Sequence, residues 1–99
     1  MKGTVIAEIH VIPVGTETTS LSRYIAACIN AVKQTQGISY QLTAMGTVIQ
    51  GSLEKVMKLT RKIHEIPFTI GAKRVVTAIN IDDRRDKQTT IESKVKAVS

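Results

Sequence analysis

From Thr4 to Ile12 apolar and mixed positions alternate, in "TVIAEIHVI". Val5, Ala7, Ile9 and Val11 form one purely apolar set; Ile6, Glu8, His10 and Ile12 form the other. A period of two predicts a strand with the first set on the core. Pro13 and Gly15 are expected to end it. The pattern then lengthens. Leu21, Ile25, Cys28, Ile29 and Val32 recur at helical spacing. Thr19 or Ser20 can cap the start by accepting a bond from a free backbone N–H. Gly37 suits a left-handed stop.

Alternation returns in Ile38–Ala44, where Ile38, Tyr40, Leu42 and Ala44 oppose Ser39, Gln41 and Thr43. Met45-Gly46 reads as a turn or bulge, with glycine supplying a positive φ. Thr47–Gln50 is the third strand. Ser52 caps a second helix, with Leu53, Val56, Met57, Thr60 and Ile63 as its inner stripe and Glu54 in its first turn. Ile66-Pro67 is expected to stop it. Lys73–Ile81 alternates as a fourth strand, and "DDRRD" is a charged turn. A terminal helix is expected over about 86–98, on a narrow stripe of Ile91, Val95 and Val98. It needs a surface to lie on, and that surface could belong to another subunit.

The order is βαββαβ plus a tail helix. Strand, helix, hairpin, helix, strand is the split-βαβ pattern of the ferredoxin-like fold. We therefore expect an α+β, two-layer sandwich with an extra C-terminal helix, one domain over 1–99. Two helices would cover one sheet face. The other would carry Glu8, His10, Ser39, Gln41, Thr43, Arg74 and Asn80 among Ile6, Ile12, Val76 and Ala78. A face so mixed suits contact with another sheet.

Composition adjusts this picture in three places. Only Tyr24, Tyr40 and Phe68 are aromatic, so the core must be aliphatic. The four-stranded basic sheet is similar in outline to an RNA-recognition module. That module stacks bases on strand aromatics, and the strands at Thr4–Ile12 and Arg74–Ile81 have none. The net charge is +6, concentrated in Lys55, Lys58, Arg61 and Lys62 and again in Arg84, Arg85, Lys87, Lys94 and Lys96. It could attract a phosphorylated ligand or nucleic acid, but it also describes a solvated helix face and tail. No stretch reaches the ~18 apolar residues of a membrane span. The N-terminus lacks the apolar core of a signal peptide, so a cytoplasmic location without membrane attachment is expected.

Little in the sequence points to catalysis. Cys28 has no cysteine partner and sits at an apolar helical position, where packing is its expected role. His10 and His64 have no second ligand at metal-binding spacing. No serine stands in a strained nucleophile turn. We expect no enzyme, no metal and no cofactor.

Three stretches carry a family resemblance: "EIHVIPVGTETTSLSRYIA", "YQLTAMGTVIQG" and "KRVVTAINIDDRRD". In order and spacing they resemble the small thiamine-binding proteins. Pro13, Gly15 and Thr16 match one family pattern, and Ser20, Ser22 and Tyr24 the next. Met45, Gly46, Thr47, Ile49 and Gly51 match a third. His64, and Arg74 with Val75 and Thr77, complete the match. Ala44 stands where the family commonly has Pro, and Gln50 where it commonly has Glu.

The resemblance implies a ferredoxin-like domain assembled as a homotetramer, a dimer of dimers. It implies non-catalytic binding of thiamine, its phosphate ester or its hydroxymethylpyrimidine half, in thiamine salvage or transport. The expected contacts are Thr43, Thr47 and Gln50, with Ser20 and Tyr24 nearby, at a site near the hairpin and between subunits. Gln50 could pair with an aminopyrimidine edge through one donor and one acceptor, but cannot offset the thiazolium charge. Plainer roles stand beside these: Gly46 and Gly51 as backbone necessities, Thr47 as a strand former, Ser20 as a cap. Two other functions share the fold, an amino-acid-sensing regulatory domain and a basic nucleic-acid-binding module.

Overall fold

The computed structural model describes residues 3–15 and 22–99. Its elements are β1 (Val5–Val14), α1 (Ser22–Gln34), β2 (Ser39–Leu42), β3 (Thr47–Gly51), α2 (Leu53–Thr69), β4 (Arg74–Asp82) and α3 (Ile91–Val98). The sheet is antiparallel in the order β2-β3-β1-β4. This is the ferredoxin-like arrangement that the pattern predicts, an α+β sandwich with an added C-terminal helix.

Register assigns the faces. Ile9 lies opposite Thr47 on one side and Ile79 on the other; Ala7 lies opposite Ile49 and Ile81. Val5, Ala7, Ile9, Ile49 and Ile79 therefore point at the helices. They pack with Cys28, Ala31 and Val32 of α1 and with Val56, Leu59 and Ile63 of α2. Glu8, His10, Ser39, Gln41, Gln50, Arg74 and Asn80 take the open face, as alternation requires.

Pro13 does not end β1. It is buried and lies opposite Val75, within a β1–β4 ladder that runs from Ile6↔Asp82 to Val14↔Arg74. The ladder to β3 spans only Val5–Ile9. Beyond Ile9, β1 is paired on one side, where a residue without an N–H is tolerated. Gly15 follows with φ 74°, the left-handed turn that ends the strand.

The helix stripes are rotated from the expected ones. In α1 the buried residues are Tyr24, Cys28, Ala31 and Val32, which keep helical spacing and retain Cys28 and Val32 but put Tyr24 and Ala31 in place of the expected Ile25 and Ile29. Ile25 is 52% exposed. The Tyr24 ring, with the Arg23 guanidinium 5.3 Å from its centre, takes the inward place expected of Ile25. Thr19, Ser20 and Leu21, the expected cap and first stripe residue, lie outside the described residues. Gly37 takes φ 80° just after α1, as expected. In α2 the buried set is Val56, Leu59, Thr60, Ile63 and Pro67, while Leu53 and Met57 are exposed. Ser52 caps this helix, its hydroxyl accepting from Lys55 N–H at 3.2 Å.

Pro67 does not stop α2, which continues to Thr69. A proline inside a helix removes the bond to the carbonyl four residues back, here Ile63. The Cys28 thiol of α1 donates to that carbonyl at 3.6 Å. A thiol from the neighbouring helix thus occupies the acceptor that Pro67 leaves open. Arg23 Nη2 donates to Ile70 O at 2.6 Å and ties the same helix pair together near the end of α2.

The terminal helix is shorter than the expected 86–98. It begins at Ile91 because Thr90 and Ser93 form a reciprocal capping box. The charged turn before it is held by two local ion pairs, Arg84–Asp86 and Arg85–Asp83. The hydrogen-bonded guanidinium groups hold both aspartates below the ordinary carboxylate range.

Two outcomes follow for stability. Ile49 is fully buried, so Ile49→Ala should cost about 2–5 kcal/mol, whereas Ile25→Ala should cost under about 1 kcal/mol, both read by urea unfolding. A double-mutant cycle of Cys28→Ala and Pro67→Ala should show coupling of about 0.5–1 kcal/mol, because alanine at 67 restores an N–H for the Ile63 carbonyl. Strict additivity would exclude the substitution of thiol for amide.

Candidate functional site

β1 has ten residues and β3 has five. The sheet therefore has a notch where β3 begins at Thr47 and β1 runs on to Val14. The β2–β3 turn and α1 border this notch and leave a cavity of about 300 Å³. Ile9, Val11 and Leu42 line it from the sheet, Ile25, Cys28 and Ile29 from α1, and Ile63 from α2. Thr43 to Thr47 supply the turn side. Its volume stands at the small end of the ~300–1,000 Å³ typical of ligand sites.

The turn is built by a hydroxyl. Thr43 Oγ accepts from the N–H of Met45 at 3.2 Å and of Gly46 at 3.1 Å, and donates to Gly46 O at 2.9 Å. The Thr43 N–H also donates to Gly46 O at 2.9 Å. These bonds end β2 at Leu42, before Ala44. The turn does not use a positive φ at Gly46, contrary to the expectation from sequence. Gly46 is needed for space: a Cβ there would lie 3.1 Å from Ile9 O and 3.2 Å from His10 Nε2. The His10 ring lies over this glycine on the open face, and its Nε2 is 3.1 Å from Glu8 Oε1. Gly51 is likewise a packing glycine, since a Cβ would stand 2.6 Å from Ile38 Cδ1.

The residues expected at the site divide. Thr43 and Thr47 meet at the cavity. The Thr43 hydroxyl is spent on the turn, whereas the half-buried Thr47 hydroxyl has no partner among the described residues. Gln50 is not with them. Three positions along the strand from Thr47, it faces the opposite side of the sheet, and its Oε1 accepts from Ile91 N–H at 2.7 Å. Tyr24 is buried at 8% exposure and does not line the cavity. Ser20 lies outside the described residues.

Sequence reasoning missed Ile25, Leu42 and Met45 as cavity residues. All three are exposed apolar side chains, and Met45 is 77% exposed. The signal in the sequence is Ile25, whose helical spacing places it on the expected core stripe. Cys28 also lines the cavity, and burial pushes its thiol pKa up, so it stays protonated. His64 Nδ1 stands 2.6 Å from Thr77 Oγ1 and its ring meets Phe68 edge-on at 5.8 Å. That pair, both matched to the family pattern, joins α2 to β4. Among the described residues no three His, Cys, Asp or Glu side chains are placed to hold a metal ion, and no helix is long and apolar enough to cross a membrane.

The profile of the family described as "Thiamine-binding protein" matches residues 7–99. The UPF0045 protein YqgV of Bacillus subtilis is 48% identical over 97 residues, covering 95% of this chain and 93% of that one. The crystal structure of MJ1052 from Methanocaldococcus jannaschii is 36% identical, with a TM-score of 0.86 over 96% of this chain and 95% of the other. A Thermotoga maritima protein provisionally described as one of thiamine biosynthesis or salvage superposes with a TM-score of 0.80 at 26% identity, covering 97% and 99% of the two chains. This chain belongs to the thiamine-binding protein family.

Proposed function

We propose that the protein binds thiamine or a thiamine-related molecule without catalysing its conversion, as part of thiamine salvage or transport, and that the notch cavity is the site. One observation carries this reading. Half-buried Thr47 lines a largely apolar cavity, its hydroxyl without a partner among the described residues, beside a rim of exposed Ile25, Leu42 and Met45. Exposed apolar side chains gathered around one concavity mark a binding surface. Membership of a family described as thiamine-binding supports that ligand class.

The lining narrows the choice. Its described residues include no carboxylate, lysine or arginine. His10 also lines it, with its Nε2 held by Glu8, so the imidazole is the one group there suited to a phosphate, and nothing in the described lining offsets a thiazolium cation. An uncharged heteroaromatic ring suits apolar walls with one free hydroxyl, so the hydroxymethylpyrimidine half is the preferred occupant. Thr47 then meets a polar edge of the ring, and Thr43 shapes the turn that carries Thr47. Gln50 takes no part.

Titration calorimetry with hydroxymethylpyrimidine, thiamine and thiamine phosphate tests this. Binding should be tightest for the uncharged pyrimidine. Thr47→Val should weaken it about fivefold, the worth of one hydrogen bond. Ile25→Trp, which projects bulk into the mouth, should abolish it while leaving the fold intact. Absence of heat with all three compounds removes the reading.

We infer also that the chain assembles through its open face, as a dimer of dimers. Ile12 and Val76 lie directly opposite each other there and both are exposed. Light scattering should report a multiple of the chain mass, and Ile12→Lys should reduce it. A monomer mass for the unaltered chain would refute the assembly.

A further inference from the structure

We propose that α3 and the segment leading into it form a detachable strap over the open face of the sheet, latched by Gln50. The packing of α3 points to this. None of its residues is buried; Val95 is exposed and Val98 is 89% exposed. An isolated helix of eight residues is far below the ~12–15 needed for marginal stability in water. With so little apolar burial, α3 keeps its form only while something holds its start in place.

What holds it is polar and local. The Ile91 N–H, in the first turn of α3, donates to Gln50 Oε1. Thr4 Oγ donates to Thr89 O at 3.3 Å, and Gln88 Nε2 donates to Thr4 Oγ at 3.3 Å. Lys94 pairs with Asp82 at the end of β4. Thr4 and Gln50 flank Ile6, since Gln50 is the cross-strand partner of Ile6. Residues 88–91, pinned at both points, cross this part of the open face. Ile6 is on that face and yet only 8% exposed.

Release of the strap would therefore expose Ile6 and free the Gln50 carboxamide. It would also widen the groove of about 660 Å³ that α3 now forms with Ser39, Tyr40 and Gln41 of β2. The strap thus has two states, one covering this end of the open face and one presenting it. Local openings of this kind belong to elements with few buried contacts and solvent-exposed hydrogen bonds. Position 50 sets the balance. A neutral amide makes an ordinary bond to the helix start, whereas a carboxylate would add charge assistance and a favourable interaction with the helix dipole.

Hydrogen exchange of the full chain at pH 7 tests the strap. Amides of Val95 to Val98 should exchange much faster than those of Ala7 and Ile9. Gln50→Ala should speed exchange in α3 about fivefold and leave Ala7 and Ile9 unchanged, as expected from loss of a single hydrogen bond. Gln50→Glu should slow it, and Lys94→Ala should speed it by less than Gln50→Ala. If α3 is as protected as β1, or if Gln50→Ala leaves its exchange unaltered, the strap is refuted. Should Gln50→Ala unfold the sheet as well, Gln50→Glu and Lys94→Ala decide: unchanged α3 exchange in both refutes it.

Discussion

The unequal length of two neighbouring strands governs this molecule. β1 must pair with β4 along nine register positions, but β3 offers it only five. Where β3 is missing, β1 keeps a free flank. Pro13 can sit there without breaking the sheet, the Thr43–Gly46 turn can close against it, and apolar side chains that would otherwise meet a strand meet a cavity. The turn geometry reinforces the mismatch. By bonding Met45 and Gly46, the Thr43 hydroxyl fixes where β2 ends, and the lack of a side chain at Gly46 lets the turn approach Ile9 and His10.

The same cavity borders the joint between the helices. Pro67 deprives the Ile63 carbonyl of its helical donor, and Cys28 supplies another from α1. Cys28 and Ile63 are both cavity residues. The rear of the site is thus the seam between α1 and α2, while its mouth is the hairpin turn. The cavity thus reaches both layers of the sandwich.

Most of the architecture was legible because alternation and helical spacing are direct consequences of burying one face. That Val5, Ala7 and Ile9 face the core follows from that pattern alone, whereas their register against Ile49 and Ile79 comes from the folded sheet. The errors arose where a local rule met tertiary context. Proline reads as a terminator, but Pro13 lies on a one-sided strand and Pro67 beside a compensating thiol. The α1 stripe could be drawn through Ile25 or Tyr24 with equal periodicity. Only packing against the sheet selects Tyr24 and leaves Ile25 at the cavity mouth. Site residues were harder still. Thr47 and Gln50 look adjacent in a short motif, yet a period of two puts them on opposite faces, and the end of α3 that engages Gln50 lies forty-one positions away.

The sheet order has one more consequence, for solubility. β2 and β4 are the edges. β2 is four residues long and offers little backbone for another chain to pair with. β4 is nine residues long and carries exposed Val76 and Ile81. A long edge with apolar side chains is a template for runaway strand addition. Charge guards its two ends: Lys73 and Arg74 at one, Asp82, Asp83, Arg84 and Arg85 at the other. The "DDRRD" turn, paired within itself through Arg84–Asp86 and Arg85–Asp83, thus sets charge at the end of an apolar edge, the place where gatekeeper residues are useful.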